Sequence, residues 1–228
     1  DYSSFGETTN AKYGLTYSPN EIVTFRATFA EGFRAPSIAD LYSGNNDSYP
    51  DIQDPCDVNA ANFTGNTDGT QTGQCLEDGV PTGFTQPNSQ IRVTLGGNPN
   101  VQPEESEGLN LGVIIEPVEG LKLYADYYEI EITDTISTIG SQLIMNGCYR
   151  ENNQVYCGLI DRLSTGFVDD LRNTTNNIGI VETSGFELAA TYDWSDNLGN
   201  WRATSEIAFL DTYDVTKADG SIEHYAGY

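Results

Sequence analysis

The groups in this sequence able to do chemistry are carboxylates, tyrosines, four cysteines and an arginine in an unusual setting; its only histidine is His224. Nucleophilic or hydrolytic catalysis needs an activated nucleophile beside a base, or a ligand set for a metal. The chain shows neither a nucleophile elbow nor a metal-ligand cluster, so it reads as a protein that is not an enzyme. Carboxylate pairs occur, but 34 acidic residues in a chain of 228 make them expected by chance. Asp47, Asp51 and Asp54 in "NDSYPDIQD" could chelate Ca²⁺, which takes oxygen ligands. A solvated acidic loop is the simpler reading, and no stretch has the spacing of a helix–loop–helix calcium site. No other cofactor is implied. Tyr42, Tyr49, Tyr149 and Tyr156, with Phe63 and Phe84, could stack on a flat sugar or catecholate face, or pack the loops that carry them.

The balance of charge excludes one class of partner. Ten basic residues leave a formal charge of −24, and a phosphate-binding face needs clustered Lys and Arg, so nucleic acid is excluded. Disorder is not implied, because 14 Tyr, 9 Phe and 2 Trp are too many aromatics for a solvated tail. Four cysteines allow three pairings. Local pairing, Cys56 with Cys75 and Cys148 with Cys157, is favoured because each pair lies inside one loop-like region. Disulfides place the chain in an oxidising compartment. Each would contribute about 2–4 kcal/mol by restraining a long loop.

Six alternating stretches must position these groups, and they fall into three hairpins. "AKYGLTYS" sets Tyr13, Leu15 and Tyr17 on one face. "IVTFRATFA" does the same with Val23, Phe25, Ala27 and Phe29. The second hairpin places Leu109, Leu111, Val113 and Ile115 beside Leu121, Leu123, Ala125 and Tyr127. There the phase slips to Tyr128, Ile130 and Ile132, which predicts a bulge near Tyr127. The third aligns Phe186, Leu188, Ala190 and Tyr192 with Trp201, Ala203, Ile207 and Phe209. Turns within pairs are short. The connections from Phe33 to Glu104 and from Thr133 to Val181 are long, with a short helix predicted over Ile136–Gly147. No run of 18 apolar residues occurs, so no helix spans a membrane. Short turns at one end, long loops at the other, strands of about 9–11 residues and aromatics (Tyr17, Trp194, Trp201) beside the turns match a membrane β-barrel. A soluble β-sandwich would show the same alternation; the loop asymmetry favours the barrel. The fold class is all-β: part of an antiparallel transmembrane β-barrel with short periplasmic turns and long extracellular loops.

Three segments carry a resemblance. "FRATFAEGFRAPSIADLY", "GGNPNVQPEESEGLNLGV" and "IVETSGFELAATYDW" resemble, in the expected order, parts of the barrel of TonB-dependent outer-membrane receptors. The matching motif positions are Gly32, Phe33, Arg34, Ala35 and Pro36; Asn98, Pro99, Pro103 and Glu104; and Glu182 and Gly185. Val101 and Gln102 stand where Leu and Lys are frequent. The cysteines of "NGCYRENNQVYCGLI" resemble a proteobacterial subgroup of these receptors. The resemblance implies an outer-membrane location, loops facing the exterior, a scarce small nutrient as ligand (an iron-siderophore, cobalamin or oligosaccharide) and energy from the TonB complex. Receptors of this kind have a plug domain inside about 22 strands. Residues 1–228 would thus be an interior portion, with plug, TonB-contact segment and terminal strands absent. Within it, Pro36 ends the strand, Gly32 lets the backbone bend, and Arg34 anchors the base of a long loop on Glu31, Glu104 or Glu105. A surface-exposed structural or adhesive β-protein without transport is the alternative.

Overall fold

A computed structural model describes residues 7–227. The first half of the chain forms β1 (Lys12–Tyr17), β2 (Val23–Arg34), α1 (Ile38–Tyr42), β3 (Asn46–Ser48), α2 (Gly73–Glu77), β4 (Val93–Leu95) and β5 (Glu104–Val118). Then come β6 (Leu121–Thr133), β7 (Ile136–Ser137), α3 (Ser141–Tyr149), α4 (Gln154–Cys157), β8 (Ile160–Arg162), β9 (Val168–Arg172) and β10 (Asn176–Asn177). The last strands are β11 (Ile180–Asp196), β12 (Gly199–Thr216) and β13 (Ile222–His224). These divide into two compact units. One holds the chain through Ala35, Gln102–Thr135 and the chain from Ile178; the other holds Pro36–Val101 and Ile136–Asn177.

The first unit is a single antiparallel wall in the order β1-β2-β5-β6-β11-β12-β13. Its three hairpins are those the alternation predicts, and their turns are locally specified. Asn20 Oδ1 accepts from the N–H groups of Ile22 and Val23, both at 2.9 Å. Asp196 Oδ1 accepts from Leu198 N–H at 2.7 Å and from the Trp201 indole at 3.1 Å. Short polar side chains that bond their own backbone in this way stabilise turns.

Register turns sequence alternation into a surface. One row of directly paired residues reads Tyr17–Phe25–Val113–Ala125–Leu188–Ile207, and the next Leu15–Ala27–Leu111–Tyr127–Phe186–Phe209. The third begins apolar, Tyr13–Phe29–Leu109, and continues Glu129–Ser184–Thr212. At the other margin, Trp194 pairs with Trp201, two rows beyond the end of apolar pairing on β2. The apolar band therefore runs obliquely to the pairing direction, as it must where tilted strands cross a flat hydrocarbon layer. Phe25, Leu111, Leu188 and Phe209 are 49%, 45%, 43% and 54% exposed, so this face does not form a protein core.

The opposite face is polar where the first is apolar. Arg26 reaches across β5 to Asp126 and donates Nε and Nη2 hydrogen bonds of 2.8 and 2.6 Å. Gly112 stands between them, and a Cβ there would come within 2.0 Å of Asp126 Oδ1. No bulge occurs at Tyr127: β6 pairs without interruption from Leu121 to Ile132 against β11. Register shifts lie instead between Ile115 and Val118 and between Ser184 and Gly185. The apparent slip of phase is a change of surroundings. Past Tyr127 that face carries Glu129 and Glu131, while Tyr128, Ile130 and Ile132 occupy the other face of the same regular strand.

The second unit gathers both long connections around a core of their own. Ile52, Phe84, Ile91, Val93, Ile144, Met145 and Leu171 pack with Cys56, Cys75 and Cys148. Every buried apolar residue among the described residues belongs to this unit. Its sheet runs β3-β4-β9-β8, with β4 and β9 parallel. The predicted helix over Ile136–Gly147 forms later, as α3, because Ile136 and Ser137 pair with β10 instead.

The two faces of the wall are separable by experiment. Ile207→Arg, on the apolar face, is expected to cost about 2–4 kcal/mol of folding into a bilayer. Ala208→Arg, on the opposite face, should cost much less. Urea titration in lipid vesicles measures both, and equal costs would contradict the orientation.

Candidate functional site

The motif positions from Gly32 to Pro36 close β2, those from Asn98 to Glu104 lead into β5, and Glu182 and Gly185 stand on β11. β2 continues through Gly32 to Arg34, where Arg34 and Glu104 are direct register partners. The guanidinium donates to both carboxylate oxygens, Nε to Oε2 at 2.6 Å and Nη2 to Oε1 at 2.7 Å. Such bidentate pairs fix geometry as well as charge. Of the three acidic partners expected for Arg34, Glu104 is the one engaged in this pair. Gly32 does not bend the strand; it leaves room opposite Ser106, whose Oγ a Cβ would approach to 2.7 Å. Phe33 pairs with Glu105, and the strand ends before Ala35 and the buried Pro36.

Beyond Pro36, Ser37 opens α1 with a capping box. Asp40 N–H donates to Ser37 Oγ at 3.1 Å, and Ser37 N–H to Asp40 Oδ2 at 2.8 Å. So short a helix leaves its last carbonyls without internal partners. The Gly97–Asn98 segment supplies them. Gly97 N–H donates to Ser43 O at 3.0 Å and Asn98 N–H to Asp40 O at 2.8 Å. Only glycine fits at 97, since a Cβ would sit 2.8 Å from backbone atoms of Leu41, Tyr42 and Ser43. Asn98 then donates its Nδ2 to Thr175 O at 3.0 Å, and Thr175 N–H donates to Gly96 O at 3.1 Å. One asparagine thus ties α1, near the start of the first long connection, to Thr175 near the end of the second. Pro99 is exposed and Pro103 half-buried on the way to Glu104.

The second unit is cross-linked by both locally paired disulfides, Cys56–Cys75 and Cys148–Cys157. At its centre Arg162, only 3% exposed, donates Nη1 and Nη2 to the fully buried carboxylate of Asp54 at 2.7 and 3.0 Å. Its Nε donates to Tyr149 Oη at 3.0 Å, and Tyr149 donates to Asp78 at 2.8 Å. Burial pushes the Tyr149 hydroxyl well above the usual phenol range, so it stays a donor. Burial opposes the charge on Arg162, but the hydrogen bonds and charge of Asp54 outweigh it and raise its pKa. No motif marked Arg162. Its importance comes from burial, which the local sequence does not encode.

The remaining predicted residues separate by exposure. Tyr42 and Tyr49 are 62% and 54% exposed. Tyr149 is a core side chain, as is Phe84; Tyr156 packs against that core. Asp47 pairs with Arg92, Asp51 accepts from Ser89 Oγ at 2.6 Å, and Asp54 is held by Arg162. No group of three or more His, Cys, Asp or Glu able to hold a metal ion occurs among the described residues. Glu182 and Gly185 lie on the wall, away from this junction in the sheet. Glu182 pairs with Glu131 and Asp214. Gly185 sits at the register shift, where a Cβ would meet Phe209 O at 2.3 Å.

An amphipathic antiparallel wall with an oblique apolar band, short turns and long folded loops defines part of a transmembrane β-barrel. The family model for the TonB dependent receptor-like β-barrel matches residues 1–225, and the chain belongs to that family. Among solved structures it is similar to the siderophore receptor PirA from Acinetobacter baumannii, at 15% identity over 93% of this chain and 25% of that one (TM-score 0.56). It is also similar to variants of the ferric enterobactin receptor PfeA from Pseudomonas aeruginosa. Two of these, one in complex with enterobactin, match at 16% identity over 92% of this chain and 23% of theirs (TM-score 0.57). The chain thus spans a quarter or less of these structures. No curated protein matches it in sequence.

The buried ion pair gives a test of the loop unit. Arg162→Ala should lower its stability by about 3–5 kcal/mol, because Asp54 is left buried and unpaired. Hydrogen exchange would show lost protection in 36–101 and 136–177 with the wall amides unchanged. The double replacement Arg162→Met with Asp54→Leu should cost markedly less. An equal loss in single and double variants would mean the charges do not set the stability.

Proposed function

We propose that this chain forms part of the barrel of an outer-membrane receptor that imports a scarce small nutrient with energy from the TonB complex. The observation that carries this reading is the folding of both long connections into one cross-linked unit. A shared core and the Arg162–Asp54 pair join the two connections, each disulfide closes a loop within one of them, and Tyr42 and Tyr49 stand exposed on the same unit. Preorganised loops bind a small ligand without the full cost of ordering at the moment of binding. Loops with only a covering role have no need of such rigidity.

In this reading the folded loops face the cell exterior and the apolar band faces outer-membrane lipid. Residues 1–228 are then an interior portion of a longer barrel whose plug and TonB-contact segment lie elsewhere in the protein. Iron-siderophores, cobalamin and oligosaccharides are the ligand classes considered. A ferric catecholate is the first to assay, because aromatic side chains stack on flat rings and enterobactin is bound in one of the structures of like fold. Arg34 serves the architecture of the loop base and does not touch the ligand. The contrasting reading is a surface structural or adhesive protein, which would need no energy source.

Uptake of labelled ligands in wild-type, gene-deletion and tonB strains discriminates the two. Import that requires both the gene and TonB supports the proposal; unchanged uptake in the deletion strain for every candidate removes its support. Within the receptor, Tyr42→Ala with Tyr49→Ala should weaken ligand affinity about tenfold, as stacking losses of ~1–1.5 kcal/mol imply. Arg34→Ala should instead lower the folded yield and leave affinity near wild type.

A further inference from the structure

We infer that the outward face of the sheet β3-β4-β9-β8 binds an uncharged, polyhydroxylated ligand, a neutral oligosaccharide. The inference rests on the receptor reading above and narrows its ligand class.

β4 and β9 bury Val93 and Leu171 in the core of the loop unit, so Thr94, Asp170 and Arg172 fall on the other side of the pleat. Thr94 pairs with Asp47 on one neighbouring strand and Arg172 on the other, and Asp170 pairs with Asp161. Arg92 stands two residues before Thr94 and shares its side. Four strands thus carry one row of hydrogen-bonding side chains, ~14 Å across at the usual strand spacing. Each guanidinium of the row is already matched. Arg92 Nε lies 3.2 Å from Asp47 Oδ1, and Arg172 Nη1 donates to Asp161 Oδ2 at 2.5 Å. Thr94 Oγ1 donates to Asp170 Oδ1 at 2.7 Å. The hydrogen bond from Asp47, with weaker help from Asp170 and Tyr49, raises the Arg92 pKa above its ordinary value, so the exposed Tyr49 lies close to that guanidinium.

Matched pairs decide what fits. They present donors and acceptors side by side, with both signs of charge already answered. A hydroxyl both donates and accepts. A ligand rich in hydroxyls can therefore bond a carboxylate and its guanidinium together, while the apolar side of a sugar ring lies on Tyr49. An anion finds no such reception. The loop unit carries twelve carboxylates, four arginines and no lysine. Asp47, Asp54 and Asp161 hold Arg92, Arg162 and Arg172, which leaves Arg150 as the one arginine of the unit without a carboxylate partner among the described residues. Ferric catecholates are anions, and this surplus of acid repels them. A cation finds Asp47 and Asp161 already taken. The catecholate assay thus serves as the contrast.

The test uses the purified full-length receptor on an array of neutral oligosaccharides, with uronate oligomers, glucosamine oligomers and ferric enterobactin as charged probes. A neutral glycan should bind about tenfold more tightly than any charged probe. Its Kd should change less than about twofold between about 50 and 500 mM salt, because screening acts on charges. Tyr49→Ala should weaken that binding about tenfold, and Asp47→Ala with Arg92→Ala should do the same. Hydrogen exchange over 36–101 and 136–177 checks that each variant is folded. Failure of every neutral glycan to bind at millimolar concentration overturns the inference. So does tighter binding of a charged probe, a steep dependence on salt, or wild-type affinity in either folded variant. If ferric enterobactin binds and its import requires the gene and TonB, the receptor reading stands and this inference alone falls. If a neutral glycan binds as expected but its uptake requires neither, the transport reading falls and the site remains.

Discussion

Backbone hydrogen bonding in hydrocarbon is the constraint on which the wall depends. With no water to satisfy N–H and C=O groups, each strand must pair along its crossing, and the pairing fixes which side chains share a row. Once Phe25 stands beside Val113, and Val113 beside Ala125, an apolar surface exists whether or not any of those residues touches a core. The wall therefore has the inverse of an ordinary domain's pattern. Its large hydrophobic side chains are exposed, and its charged pair, Arg26 with the buried Asp126, lies on the opposite face.

The second unit obeys the ordinary rule. The two long connections are stabilised as a small soluble domain is, by burial around Ile144, Met145 and Leu171 and by covalent cross-links. A core of this size is marginal alone, and disulfides are the usual supplement. One chain thus applies two hydrophobic rules, and each unit has its own polar fastening. Arg34–Glu104 closes the last paired residues of β2 and β5, while Asn98 completes α1 and draws in Thr175. Short side chains with several hydrogen-bonding atoms suit such a place, because they satisfy carbonyls that no regular element reaches.

Much of this was legible in the sequence for a simple reason. Period-two alternation and turn chemistry are local, so the three hairpins and their faces could be read from neighbouring residues. The local cysteine pairing followed from proximity in the chain. What failed was inference from a change of phase. The shift at Tyr127 reads as a bulge only if one environment is assumed along the whole strand; in fact the environment changes and the strand does not. The aromatic residues could not be sorted from their neighbours in the chain. Tyr42 and Tyr149 look alike in sequence, yet one is exposed and the other lies under Arg162 with its hydroxyl on Asp78. Nothing near Tyr149 or Arg162 in the chain encodes that burial.

The sequence by itself determined the strands, their amphipathic faces, the family motifs and the short turns, because each depends on residues within a few positions of one another. Only the tertiary structure decided that Arg34 meets Glu104, that Asn98 bridges two loops and that Arg162 neutralises Asp54. Those pairings join residues tens of positions apart, and their energies depend on distance and burial that exist only after the chain has folded.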